Sequence, residues 1–545
     1  MAFPFLMAAL RAHGERRQRR LAANRRQAEG RLVFEALEPR VLLSADALTV
    51  ALSGDAAHPM AHDVVVEAVS QALPNIESAT VQMVQVVDLA ANDQVLASAP
   101  LGSVSGIKIT SGTGDTSLTV ATASFGTANV PAITFAGGNG NNTLAVTGSK
   151  TTDWNITGND AGTVTGSAAI TFTGVANLSG GAENTNVFTV TQDGALTGTL
   201  SGTPDGSAGG NDSLVFKSDT VTNAAFTAAG PHSGTIDMDG SVFTYAGLTP
   251  IIFSGNASNI TITGTANTDD LTLADTNVAG QLEVASLNNS LESVTFARPS
   301  VSLTVDFGTG SNDSLQIGTV QLAGASLTVA GGNGTDSISV DANAYVSTRD
   351  TTGNALTAPS VGNSGDLSLS AETITVNTGA KLYANANSGF TSGDVTLDAG
   401  SQGGAGQTAA ASIAVHGAQI VGGDVDLDSA AGATATITQQ TLATLSLDAT
   451  AQTAIDGASG ILATVGDVQI DANVDVTGQV TANAAPLGSL NADAALALSD
   501  VTADGAATVS GTTVLGAAGA VDVHSGNTTS VTTLADGSTG GATAV

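Results

Sequence analysis

The chain has no cysteine. That absence excludes disulfide staples, thiol nucleophiles, iron–sulfur clusters and zinc–thiolate centres together. Aromatic residues are 3% of the 545 positions and charged residues 12%, so large side chains are too few for several thick globular cores. Length alone would allow roughly three to four domains of about 150 residues. The abundant small residues, 65 glycines among them, suit thin cores one residue-layer deep, repeated along an axis. No run of about 20 apolar residues occurs, so no helix is long and apolar enough to span a membrane.

Positive charge is also scarce, and it is unevenly placed. Residues 1–40 hold nine of the 15 basic residues, all arginine, with Glu15, Glu29, Glu35 and Glu38, for a net of +5. The remainder carries six basic residues against 44 acidic ones, a net of −38. Such a body repels the phosphates of nucleic acid and of anionic membranes, and attracts divalent cations. The basic head could touch either polyanion, although a solvated tail is the commoner use of such a run. Its apolar MAFPFLMAAL precedes the arginines, the reverse of a cleavable secretory signal. Arg11 to Gln27 are fair helix formers, so residues 1–33 are expected to be a basic helical or disordered tail.

What is plentiful is alternation. A polar turn enters a short alternating strand at NNTLAV (141–146), NDSLVF (211–216), TDDLTL (268–273), NDSLQI (312–317) and TDSISV (335–340). A tighter pattern follows as LSLSA (367–371), VTLDA (395–399), VDLDS (425–429), LSLDA (445–449), VQIDA (468–472), LALSD (496–500) and VDVHS (521–525). Four of these follow Gly-Asp: Gly365-Asp366, Gly393-Asp394, Gly423-Asp424 and Gly466-Asp467. Repetition every 20 to 30 residues with strand periodicity and Gly or Asn corners predicts a β-solenoid, two or three strands per coil. Leu367, Leu369, Val395, Leu397, Val425 and Leu427 should stack inward, with Asp and Thr outward. HDVVVEAVSQAL (62–73) reads as a short amphipathic helix ended near Pro74, and ATVQMVQVVDL (79–89) as a strand.

Few residues suggest chemistry. Gly331-Gly332-Asn333-Gly334-Thr335-Asp336-Ser337-Ile338-Ser339 resembles the calcium nonapeptide of RTX proteins. The resemblance implies exposed backbone carbonyls at Gly331, Gly332 and Gly334, completed by the Asp336 carboxylate. Such an ion lies between two turns, and Asp313, one coil earlier, could stack on Asp336. GGNGNNTLA (137–145) is a degenerate copy with Asn142 in the carboxylate place. The bland alternative is a Gly-rich corner between strands. His58-Pro59-Met60-Ala61-His62 has metal-like spacing, but Pro59 opposes a shared helix face, so a chance loop pair is expected. No HExxH, GxSxG or P-loop occurs. A carbohydrate-active β-helix would need aromatic platforms, and Trp154 and three tyrosines supply few.

Leu37-Glu38-Pro39-Arg40-Val41-Leu42-Leu43, behind the Arg-rich head, resembles the signature of the LEPR-XLL family. It covers under a tenth of the chain; a first strand capping a solenoid is the structural alternative. The resemblance implies a very large, repetitive bacterial protein, secreted or on the cell surface, with Leu37, Glu38, Pro39, Arg40, Leu42 and Leu43 serving sorting or export.

The fold expected is therefore all-β: an elongated, parallel β-helix-like β-solenoid with related β repeats. Residues 1–33 would be the tail, 34–46 the sorting segment, 47–100 a small mixed α/β transition, 101–360 irregular β repeats with RTX-like turns, and 361–545 regular solenoid continuing beyond the C-terminus. The function expected is a non-enzymatic, adhesin-like stalk or matrix scaffold. Its partners would be export machinery, reached through the N-terminal or a missing C-terminal segment, and an unidentified host-surface or matrix ligand. No nucleic acid is expected on the acidic body. The alternatives are a calcium-dependent binding module and a β-helix carbohydrate-active enzyme.

Overall fold

The structure, a computed structural model, describes residues 46–544 apart from 55–59, 74–78, 149, 182–184, 203–211, 218–219, 310–311, 352–359, 487–491 and 537–542. The basic tail, residues 37–43 and His58 lie outside the described residues. No α-helix occurs among those described. The helical pieces are the short 3-10 turns Leu101–Ser103 and Thr122–Phe125. The protein is all-β, and its strands stack mostly in parallel as the coils of a β-solenoid. It divides into two compact units, Met1–Asp153 with Thr163–Thr185 and Gly202–Gly210, and Trp154–Gly162 with Asn186–Ser201 and Asn211–Val545.

In the first unit, two parallel columns of four strands run side by side. One holds Asp46–Ala51, Val104–Thr110, Ile133–Ala136 and Ile170–Thr173. The other holds His62–Ala72, Thr116–Ala121, Thr143–Thr147 and Asn177–Ser179. The helix expected over 62–73 is thus a strand. Its β-branched Val64-Val65-Val66 run favours extended backbone. Alternation also wins locally: Val64, Val66 and Ala68 are buried, and Val64 and Val66 stack on Leu118 and Val120. The strand continues into an antiparallel meander through Thr80–Asp88 and Gln94–Pro100. The region 47–100 is therefore a first coil with an all-β extension, not a mixed α/β segment.

In the second unit, from residue 302 onward, each coil carries three strands. One face stacks Ser302–Asp306, Ser326–Ala330, Leu367–Ala371, Val395–Gly403, Val425–Gln440, Val468–Asn483 and Val521–Asp536. The next stacks Ser314–Ile317, Ser337–Val340, Thr373–Val376, Thr408–His416, Leu442–Asp456 and Leu496–Val509. A short third face runs from Val320–Gln321 through Tyr345–Ser347, Lys381–Tyr383, Gln419–Gly422 and Gly460–Ala463 to Val514–Ala517. Leu303, Leu327, Leu367, Val395, Val425 and Val468 fall in one register column and are all buried. Leu369, Leu397 and Leu427 form the column beside it. Each such side chain stabilises the stack by about 1.5–3 kcal/mol through burial.

Two features depart from the sequence pattern. The tighter repeat is really two series. LSLSA, VTLDA, VDLDS, VQIDA and VDVHS lie on the first face, whereas LSLDA and LALSD lie on the second. The Gly-Asp prefix marks only first-face members. The few aromatics are also concentrated inside: Phe216, Phe253 and Phe296 stack in register, and Trp154 lies on Phe188 at 5.3 Å.

Candidate functional site: the carboxylate ladders

The strand Asp270–Asp275 stacks in parallel on Ser314–Ile317, and four successive strands of this column begin immediately after an acidic residue: Asp269, Asp313, Asp336 and Glu372. The amide of Asp269 donates to Oδ1 of Asp313 at 2.6 Å, that of Asp313 to Oδ1 of Asp336 at 2.8 Å, and that of Asp336 to Oε2 of Glu372 at 2.7 Å. Asp269, Asp313 and Asp336 are buried. The structure therefore brings together Asp313 and Asp336, the pair singled out from the sequence, on successive coils. Their Oδ2 atoms are buried and lack a hydrogen-bond partner. Burial pushes both carboxyls up, opposed by the amide donated to each; neighbouring acids add to the rise, which takes Asp336 to about 6.

The loop glycines have structural work of their own. Gly332 sits at φ +84°, and a Cβ there would lie 2.3 Å from the carbonyl oxygen of Gly308 in the preceding coil. A Cβ on Gly331 would crowd Ser370 O at 3.1 Å. Gly334 has φ +143°. Close stacking of coils thus accounts for glycine at 331 and 332 without an ion.

Asn142 shows how the same corner closes without a charge. The amide of Thr116 donates to its Oδ1 at 3.0 Å, as Asp313 does to Asp336. Its Nδ2 donates to the carbonyls of Gly140 and Gly174, both at 2.9 Å. An aspartate has no proton for that role when ionised, so Asp313 and Asp336 are left with spare oxygens suited to a proton or a cation. Among the described residues no group of three or more His, Asp or Glu side chains converges as a metal cage.

A second ladder is exposed and runs the other way. The amide of Asp394 donates to Oδ1 of Asp366 at 3.0 Å, Asp424 to Asp394 at 2.8 Å, and Asp467 to Asp424 at 2.7 Å. These are the Gly-Asp corners. On the adjoining strands Asp398, Asp428 and Asp471 share one register column. Asp398 faces water as expected, whereas Asp471 is buried. Burial and then mutual repulsion raise the carboxyls of Asp426 and Asp428.

Sequence reasoning missed the histidine contacts, which join residues far apart. His62 belongs to a strand, not a loop. Its Nδ1 lies 2.6 Å from Oδ2 of the buried Asp88, and its Nε2 lies 2.9 Å from the carbonyl oxygen of Ser53 and 3.5 Å from Ser53 Oγ. The line Ser53–His62–Asp88 resembles a nucleophile, base and orienter. The nearer carbonyl instead takes an Nε2–H, leaving no lone pair to receive a serine proton. His232 Nδ1 contacts Glu292 at 2.6 Å and Thr249 Oγ1 at 2.8 Å. Both arrangements fit clamps between segments.

The buried Trp154 stacks on Phe188 and donates Nε1–H to Asn186 at 3.2 Å, so it is not a sugar platform. The fold and these ladders define a β-solenoid repeat protein. No protein-family model matches the chain, and no curated protein matches it.

Proposed function

We propose that the chain is a non-enzymatic structural repeat protein, exported by a bacterium to its surface or medium, and acting there as an adhesin-like stalk or matrix scaffold. The observation that carries this reading is the uninterrupted register of coils from Ser302 to Asp536, whose side chains and corner carboxylates are spent on holding one coil to the next. Charge-assisted bonds to backbone amides are worth about 1.5–3 kcal/mol each when shielded. Cavities of about 200, 240 and 260 Å³ lie in the chain, and none of the three is lined by two carboxylates. Sorting through Leu37, Glu38, Pro39, Arg40, Leu42 and Leu43 belongs to the same proposal. Labelling producing cells with an antibody to the chain, and comparing surface attachment with a deletion strain, tests it. Surface label and lost attachment are expected; cytosolic label with normal attachment overturns the reading.

A second reading rests on the spare oxygens of Asp313 and Asp336. A calcium ion held there, with carbonyls of Gly331, Gly332 or Gly334, would make the scaffold calcium-dependent. Unfolding temperature in calcium and in chelator decides. A rise in calcium that Asp336→Asn abolishes supports the ion; no shift removes it.

A further inference from the structure

We infer that the second unit carries a docking edge for a second copy of this chain, the two copies joining by antiparallel pairing of residues 434–440 across a two-fold axis. The 16-residue strand Val425–Gln440 stacks on the 9-residue strand Val395–Gly403, so only its first nine residues have a partner in the preceding coil. On the adjoining face, Thr408–His416 pairs with residues 448–456 of Leu442–Asp456. Residues 434–440 and 442–447 therefore project beyond the preceding coil, while the coil that follows covers their other side in register. The result is a ledge part-way along the stack. Among the described residues its two strands each keep one open edge, touched only where Gly406 N donates to Ser446 O at 3.0 Å.

The backbone of the ledge is an open template. Val425 N donates to Asp467 O and Thr441 N to Asn483 O, so odd-numbered residues here bond to the following coil. Backbone groups alternate between the two edges of a strand. Thr434, Thr436, Thr438 and Gln440 thus turn amide and carbonyl to the open edge. Such edges are usually guarded by charge or proline. Residues 434–447, TATITQQTLATLSL, hold neither, in a body of net charge −38. Cover is incomplete as well. Ile437 is half-buried, whereas Val480, its neighbour in the same column one coil on, is fully buried. Leu442 is 51% exposed.

The occupant that fits is the same ledge of another copy. A two-fold axis makes the contact self-complementary and the paired strands antiparallel. Full overlap of residues 434–440 sets Ile437 opposite Ile437 of the second copy, and Thr436 opposite its Thr438. The threonines exchange backbone bonds, and the isoleucines form the closer, non-hydrogen-bonded pair. Threonine pairs and β-branched apolar pairs are favourable cross-strand neighbours. The same axis lays residues 442–447 antiparallel to their counterparts. Each projecting coil then fills the space beside the shorter coils of the other copy, so the two steps interlock. The joint continues ladders that already hold the coils together, those ending at Gly403 and starting at Thr408. No charges meet at it, while the acidic bodies repel. Salt screens charges beyond about 10 Å at about 0.1 M, so association should strengthen with salt.

The test is sedimentation equilibrium of the whole chain at about 0.05 M and about 0.5 M sodium chloride, with circular dichroism of each variant. A reversible dimer, tighter at the higher salt, is expected. Thr436→Pro removes an open-edge donor and no ladder bond within the chain. It should keep the wild-type circular dichroism and weaken the dimer about tenfold or more. Thr438→Asp puts a charge at the joint and should act alike. Gln479→Asp, on a strand paired at both edges, should leave the dimer unchanged. In this cysteine-free chain, Ile437→Cys should close a disulfide between copies under mild oxidation, and Val480→Cys should not. A monomer at both salt concentrations, an open-ended polymer, or a dimer that folded Thr436→Pro and Thr438→Asp leave unchanged overturns the joint.

Discussion

Asp313 and Asp336 stand 23 residues apart and meet across one coil, the amide of the first donating to Oδ1 of the second at 2.8 Å. The contact joins the backbone of one acid to the side chain of the next, and the coils of Asp269, Asp313 and Asp336 each bury one carboxylate in this way. The coil gains a directed bond and accepts a desolvated group. This trade sets how the protein should respond to pH and to substitution.

Asp336 should make the fold weaker as pH rises. Its native carboxyl sits at about 6 against an ordinary 3.8, mainly through burial, so the native state holds a proton that the unfolded chain has lost. Stability from this group is full below about pH 4, falls between about 4 and 6, and is level above. Asp336→Asn supplies the neutral donor that Asn142 uses in its own corner. In chelator at pH 7 it should stabilise by about 1–3 kcal/mol, with little effect at pH 4. Asp424→Asn, on the exposed ladder, is the control. Urea unfolding at the two pH values reads the difference.

His62 gives the opposite kind of switch from the same slope. Burial lowers its pKa, but the Asp88 hydrogen bond, the Ser53 carbonyl and the Asp88 charge together raise it above 6.5. Its contribution is complete below pH 6.5 and is lost as pH climbs through the raised native value. Asp88→Asn should destabilise by about 1–3 kcal/mol at pH 6 and by less at pH 9. Ser53→Ala should change stability by under about 0.5 kcal/mol at either pH. A larger serine effect would speak against the clamp.

Glycine should matter by place. Gly332→Ala forces a Cβ to 2.3 Å from Gly308 O at φ +84°, whereas Gly389, at φ +99°, has nothing within 4 Å of such a Cβ. Gly389→Ala should cost about 1 kcal/mol and Gly332→Ala at least twice that in thermal unfolding.

The apolar columns set the largest effects. Leu397 lies between Leu369 and Leu427 and is fully buried. Leu397→Ala should destabilise by about 2–5 kcal/mol, while Thr396→Ala on the outer surface of the same strand should stay within about 0.5 kcal/mol. Denaturant midpoints at constant slope measure both.

The stacked leucines and valines were legible in the sequence because strand alternation and burial share a period of two. The Gly-Asp corners were legible because glycine is needed there for close approach. LSLDA was placed in the same series as VDLDS because both faces of a coil use one alphabet, and only the missing Gly-Asp prefix separates them. The strand over 62–72 also reads as a helix because Val65, Ala68, Val69 and Ala72 satisfy a helical spacing. Only the neighbouring coil supplies Leu118 and Val120 to decide. The calcium-like Asp313 and Asp336 pair was visible from its 23-residue spacing, although not its burial. His62 with Asp88, and His232 with Glu292, could not be read. Each joins residues whose separation follows from insertions in particular coils.

Register between coils is the claim on which the rest stands, and the absence of cysteine makes it directly measurable. Thr396 pairs with Asp426 across one coil step, and Asp428 lies two residues further along the same surface. Neighbouring strands hold paired Cα atoms about 4.8 Å apart, within disulfide reach, whereas the diagonal pair is beyond about 7 Å. Thr396→Cys with Asp426→Cys should therefore close an intramolecular disulfide under mild oxidation and leave circular dichroism unchanged. Thr396→Cys with Asp428→Cys should remain reduced. Equal closure in both, or closure only in the second, would contradict the stacked coils.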